Sequence, residues 1–271
     1  MKNKLSIETL NNIKNVKALL FDLDGTLYVS DKLIGDVKNT LQFFRNQGIS
    51  IVYLTNNSSK SIDAYKQKLS DLDILDKKDV IVSSGTVAIN YIKANCSDKK
   101  VYLVGTVSFF NDCKKAGVNL SNENADIVLL SYDTELTYEK LCLATKHLNN
   151  GANYFATHID VNCPSKDGFL PDIGSFIALI EKSTGLTPEI YFGKPDNQMA
   201  NEIMELLSLK NNEIMMIGDR LYTDIQFGIN NNFLSCLVLS GESTLDDVQK
   251  SAIAPTLILN DVNELKQFFE K

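Results

Sequence analysis

Ala18-Leu19-Leu20-Phe21 is an unbroken apolar run that ends in Asp22-Leu23-Asp24-Gly25. Apolar on both sides, it reads as a strand buried on both faces, the kind found in helix-covered parallel sheets. In open α/β sheets, ligands collect beyond the carboxyl ends of the strands. Residues i and i+2 of a strand point the same way, so Asp22 and Asp24 face one point if the strand geometry persists that far. Gly25 then allows a sharp turn. Two carboxylates this close repel, and a divalent cation is the usual compensation; hard oxygen ligands with few other protein groups suit Mg²⁺. The same four residues also suit a solvated Asp-Gly turn.

The α/β rhythm continues along the chain. Met1 to Asn15 reads as a peripheral helix with Ile7, Leu10 and Ile13 on one face, and Gly35 to Gln47 as an amphipathic helix stopped by Gly48. Ile49–Leu54 is a β-branched strand that runs into Thr55-Asn56-Asn57-Ser58-Ser59 and a further helix through Tyr65 and Leu69. Small polar residues before a helix start suit a phosphate held by backbone N–H groups, with a hydroxyl from Thr55; they suit ordinary N-capping equally. Strands and helices alternate from Val80 to Ala156. Thr157–Gly174, punctuated by Pro164, Gly168 and Pro171, reads as a long irregular loop, a kind that often carries function. The pattern predicts a parallel-sheet core from residues 1–81 and 187–271, with a second α/β domain, residues 82–186, inserted into it.

Two more strand ends follow. Gly193-Lys194-Pro195 comes after Ile190–Phe192, and Lys194 is a compact cation suited to phosphate or to crowded carboxylates. The apolar strand Ile214–Ile217 leads into Gly218-Asp219-Arg220-Leu221-Tyr222-Thr223-Asp224, where Asp219 occupies a strand end as Asp22 does. A surface lysine and a capping aspartate are the other readings of these residues.

The chain has 271 residues, a net charge of −7 and a pI near 5.0, which argues against a nucleic-acid or anionic-membrane partner. Its five cysteines (Cys96, Cys113, Cys142, Cys163, Cys236) lack paired spacing and suit thiols in a reducing cytoplasm. The first residues lack a signal-peptide apolar stretch, and no apolar run approaches membrane-spanning length. His147 and His158 are too few and too far apart for a zinc site.

Asp22-Leu23-Asp24-Gly25-Thr26, Thr55-Asn56-Asn57, Gly193-Lys194-Pro195 and Gly218-Asp219-Arg220…Asp224, in this order, resemble the motifs of the haloacid dehalogenase superfamily of phosphohydrolases. More narrowly, the chain resembles the p-nitrophenylphosphatase and nucleotide-phosphatase branch, whose α/β cap is inserted between the second and third motifs. Ala156-Thr157…Asp160…Pro164…Gly168…Pro171…Gly174-Ser175 resembles that branch's cap signature, and Thr137-Tyr138-Glu139-Lys140-Leu141 fits it too. The likeness spans nearly the whole chain. His158 stands where members often have Asn, Cys163 where pyridoxal-phosphate phosphatases carry His, and Asp172 where the signature has Gly; these departures bear on substrate rather than on chemistry.

The resemblance implies a Rossmann-like core with an inserted cap, and a Mg²⁺-dependent phosphatase. In that scheme Asp22 is the nucleophile and Asp24 the general acid, then base. Asp22, the Asp24 backbone carbonyl and Asp219 hold the ion, while Asp224 binds a metal water or orients Lys194. Thr55, the Asn56 and Asn57 amides and Lys194 hold the phosphoryl oxygens. The cap closes over the site, and His158 is a candidate contact to the leaving group. The expected partner is a small phosphate ester, a nucleoside monophosphate or sugar phosphate, with pyridoxal phosphate and phosphoglycolate as alternatives; a homodimer is a further expectation. A phosphotransferase or a non-catalytic binding protein on the same scaffold remains open.

Overall fold

Runs of apolar residues alternating with amphipathic segments form two parallel sheets. The structure, a computed structural model, describes residues 6–165 and 168–270. Two compact units share the chain. One comprises Met1–Thr55, Tyr65–Val82 and Lys194–Lys271, and the other Asn56–Ala64 and Ser83–Gly193.

The sheet of the first unit has the strand order Leu257–Leu259, Leu234–Val238, Ile214–Gly218, Ala18–Asp22, Ser50–Thr55, Val80–Ser83. Ala18–Asp22 pairs in parallel with both Ile214–Gly218 and Ser50–Thr55; Phe21 lies beside Ile217 and Tyr53, and Asp22 beside Leu54. This register makes alternate residues share a face. Leu19, Phe21, Ile51, Tyr53, Met215 and Ile217 join Phe44 of helix Val37–Asn46 in one buried cluster. Each such side chain contributes about 1.5–3 kcal/mol relative to exposure. Because the strands run the same way and end at the same level, Asp22, Thr55 and Asp219 all emerge at one edge of the sheet, with no local signal needed to bring them there.

The second unit holds a four-stranded parallel sheet, Ile190–Tyr191, Asn153–Ala156, Ile127–Leu130, Val101–Val104. Ile190 and Tyr191 lie beside Phe155 and Ala156, so this segment extends the second sheet, although the sequence pattern assigns residues 187–193 to the first domain. Residues 56–64 likewise cluster with the second unit. Ser84 Oγ donates to the Asn56 carbonyl (2.5 Å), Thr106 Oγ1 to the Ser59 carbonyl (2.9 Å), and Tyr132 N to Ser58 Oγ (3.0 Å).

Other local expectations change as well. The segment Thr157–Gly174, expected to be irregular, contains an antiparallel pair, Asn162–Ser165 with Gly168–Pro171, and helix Ile173–Thr184 follows directly. Its two prolines obscure the strand signal, since a proline lacks the N–H of a ladder. The helix expected over Met1–Asn15 is Ile7–Lys14; only Ile13 of its apolar face is buried, Ile7 stays 80% exposed, and residues 1–5 lie outside the described ones. Among the described residues no helix is long and apolar enough to cross a membrane, and no disulfide joins any of the five cysteines.

Candidate active site

The edge where Asp22 and Asp219 emerge also carries Lys194 and Asp224. The Lys194 ammonium is buried and donates to Asp22 Oδ1 (2.6 Å) and Asp224 Oδ1 (2.7 Å). Asp224 Oδ2 accepts from the Arg220 amide (3.0 Å) across the π-type turn Leu221–Ile225. Asp219 Oδ2 accepts from Glu242 N (2.7 Å), and its carbonyl accepts from Ser243 N (3.1 Å). Arg220 is tied to Glu242 by a 2.9 Å ion pair that holds these two loops together. One oxygen each of Asp22, Asp219 and Asp224 lies within 4.8 Å of the others.

Backbone glycines make room for this crowding. Gly25 has φ +86°, and a Cβ there would stand 2.5 Å from Asp219 Oδ2; a Cβ on Gly218 would overlap the Asp224 carboxylate.

One ammonium cannot neutralise three carboxylates. Burial pushes the Asp22 carboxyl well above the ordinary range; Lys194 opposes this, and Asp224 and Asp219 reinforce it. Asp219 is pushed up to about 7, chiefly by burial and then by Asp224, against the Glu242 amide. Burial opposes the charge of Lys194, but Asp22 and Asp224 together hold its ammonium above the usual lysine range. Asp219 Oδ1 is buried with no hydrogen-bond partner among the described residues. A buried, unpartnered carboxylate oxygen is costly unless a ligand meets it. The donor set is all oxygen, hard and multiply charged, and so fits a divalent cation such as Mg²⁺.

Asp24 is placed differently. The strand ends at Asp22, so the i, i+2 alternation does not carry to Asp24. Its side chain is 69% exposed, with Oδ1 3.8 Å from Lys68 Nζ, and it is not a member of the three-carboxylate cluster. Thr55 is buried at the end of its own strand. The helix that follows starts only at Ile62, and Ser61 Oγ caps it by accepting from Ala64 N (3.2 Å). Thr55–Ser59 therefore does not form the helix N-terminus that the sequence suggests. Asn57 Oδ1 instead accepts from Ser59 N (2.9 Å) and Ser59 Oγ (2.7 Å), closing an Asx turn.

Asn56, Asn57 and His158 belong to the second unit. Asn56 Nδ2 donates to Asp160 Oδ2 (3.0 Å). His158 is wholly buried; Nε2 lies 3.1 Å from Asp172 Oδ1 and Nδ1 3.1 Å from Thr157 Oγ1, so both ring nitrogens are engaged. Asp172 also accepts from Ile173 N (2.6 Å) as the N-cap of its helix. The Asp that replaces the signature glycine thus pairs with the His that replaces the common asparagine.

Sequence reading passes over the Glu242 amide, and it names Arg220 in its motif without giving it a role. The available signal for the amide is Ser240-Gly241-Glu242 following the strand Leu234–Val238, another strand end on the same edge.

Residues 19–119 match the family described as haloacid dehalogenase-like hydrolase, and residues 191–265 match one described as HAD-hydrolase-like. An acid sugar phosphatase of Staphylococcus aureus (strain MRSA252) is 35% identical over 260 residues, which cover 96% of this chain and 100% of that protein. The chain belongs to the haloacid dehalogenase-like hydrolases. A 4-nitrophenylphosphatase structure from Thermotoga maritima superposes with a TM-score of 0.92 at 34% identity, over 96% of this chain and 99% of that one. NagD from E. coli K-12 gives 0.84 at 27% identity, over 92% and 98%. Within the haloacid dehalogenase-like hydrolases this protein falls in the p-nitrophenylphosphatase branch, and its activity is that of a phosphatase.

Proposed function

We propose that this phosphatase is Mg²⁺-dependent and hydrolyses small sugar phosphates through an aspartyl-phosphate on Asp22. The observation that carries the reading is the buried cluster of Asp22, Asp219 and Asp224, under-neutralised by Lys194 and with Asp219 Oδ1 left without a partner among the described residues. Asp22, the Asp24 carbonyl, Asp219 and Asp224 are the groups to hold the ion or its waters. When bound, Mg²⁺ offsets the charge of the carboxylates and of the phosphoryl oxygens.

Lys194 fixes the rotation of the Asp22 carboxylate by its 2.6 Å hydrogen bond and offers positive charge to the transferring phosphoryl group. An Asp22 oxygen attacks phosphorus, the bond to the ester oxygen breaks, and Asp24 gives that oxygen a proton. Water then attacks the phosphorus of the aspartyl-phosphate, Asp24 takes its proton, and Asp22 and inorganic phosphate are released. Thr55 and the Asn56 and Asn57 amides are the proposed polar contacts to the phosphoryl oxygens. The sugar-phosphate class is supported by the printed name of the Staphylococcus aureus relative.

A panel of sugar phosphates, nucleoside monophosphates, pyridoxal phosphate and phosphoglycolate, assayed for phosphate release with Mg²⁺ and with EDTA, tests the reading. The highest kcat/KM is expected on a sugar phosphate, and activity is expected to disappear on chelation. A preference for another class, or turnover that survives chelation, overturns the corresponding half.

A further inference from the structure

Asp24 sits beyond the end of its strand with its carboxylate mostly in solvent, yet proton transfer depends on a held geometry.

The chain turns after Asp24 and comes back. Gly25 N donates to the Tyr28 carbonyl (2.8 Å), and Asp24 and Tyr28 form an isolated bridge. Tyr28 is wholly buried, and its hydroxyl has no hydrogen-bond partner among the described residues. What it presents is therefore a ring rather than a phenol oxygen. Lys68, on helix Ile62–Asp71, sets its ammonium 3.9 Å from the centroid of that ring. The same ammonium is 3.8 Å from Asp24 Oδ1. Buried Tyr65 and Leu69 anchor the helix on either side of Lys68.

We infer that Lys68, seated on the face of Tyr28, is a positioning residue that holds the Asp24 carboxylate for proton transfer. An exposed Lys–Asp pair normally contributes little to stability, because both side chains lose freedom to form it and water screens the charge. Here the ring removes much of that freedom in advance, since a cation over an aromatic face has a preferred seat. At 3.8 Å the attraction is one of charge and not of a hydrogen bond, so the ammonium steers the carboxylate without itself bonding to that oxygen.

The inference rests on the proposed acid–base role of Asp24. The test compares kcat/KM for p-nitrophenyl phosphate, whose leaving group needs no proton, with kcat/KM for an alkyl phosphate, whose leaving group needs one. Taking both values on one variant cancels any loss of folded protein. Lys68→Met and Tyr28→Leu are expected to lower the alkyl value about ten-fold while changing the p-nitrophenyl value less than about two-fold, a fraction of what general acid catalysis supplies. Lys68→Arg, still cationic and able to stack, is expected to recover most of the ratio, and Tyr28→Phe to leave it unchanged. In an Asp24→Asn background, Lys68→Met is expected to add nothing, because its effect passes through the missing carboxylate. A ratio unmoved by Lys68→Met, or a full further loss in the Asp24→Asn background, overturns the inference while leaving the Asp24 assignment intact. An Asp24→Asn variant that keeps the parent ratio overturns both.

Discussion

Each unit buries a knot of polar side chains, and the two knots are built oppositely. In the first, three carboxylates meet one ammonium, and an oxygen of Asp219 has no partner among the described residues. In the second, His158 spends both ring nitrogens on Thr157 and Asp172, Asp172 also caps a helix, and Asp160 accepts from Asn56. A polar cluster that satisfies itself needs no ligand to answer its charge, whereas one that leaves charge unanswered under burial is arranged to meet one. Burial alone does not separate them. The count of partners does.

The under-neutralised cluster is disturbed most directly at Asp22. Asp22→Asn removes the nucleophile, and phosphatase activity is expected to fall by at least about 10⁴-fold, as for other nucleophile losses. Covalent labelling by a ³²P-phosphate ester should vanish as well, while circular dichroism shows the fold retained. Residual labelling at parent level would remove Asp22 from its role.

Chelation is the next largest effect. EDTA is expected to lower turnover of p-nitrophenyl phosphate by about 100-fold or more, with recovery on adding Mg²⁺, since several kcal/mol of charge stabilisation is withdrawn. Isothermal calorimetry of Mg²⁺ binding should lose its signal in Asp219→Ala and keep it in His158→Ala.

His158→Ala sharpens the other side. It leaves the Asp172 and Thr157 oxygens short of a partner in a buried site, and a destabilisation of about 1–3 kcal/mol is expected in urea unfolding. The surviving folded enzyme should keep its metal requirement. A loss of activity with unchanged stability would instead make this histidine a ligand-binding group.

The smallest effect is on pH. Asp219, raised to about 7 in the fold and ordinary when unfolded, keeps a proton in the native state that the unfolded chain has already lost between about 4 and 7. Stability of the metal-free protein should therefore fall as pH rises through that window, by a few degrees in Tm, and level off above it. Added Mg²⁺ should stabilise more at pH 8 than at pH 5.5, because a metal ligand must be deprotonated. A metal-free Tm that rises steadily from pH 5 to 8 would contradict this.

The strands were legible because their signals are local. Ala18–Asp22, Ser50–Thr55 and Ile214–Gly218 each announce themselves by an apolar run and a polar stop, and parallel packing alone then brings Asp22, Thr55 and Asp219 to one edge. The order of the four motifs likewise carries the resemblance to the family. Tertiary structure decided what depends on distant partners. Asp24 leaves the alternation of its strand because the chain bends back to Tyr28, and its neighbour Lys68 comes from 44 positions later in the chain. His158 is paired by Asp172 across a hairpin whose prolines hide it, and Ile190–Tyr191 joins the second sheet because Ile190 finds Phe155. Periodicity records which side of an element is apolar. Which polar group finds a partner, and which is left for a ligand, is settled only when segments far apart in the chain are packed together.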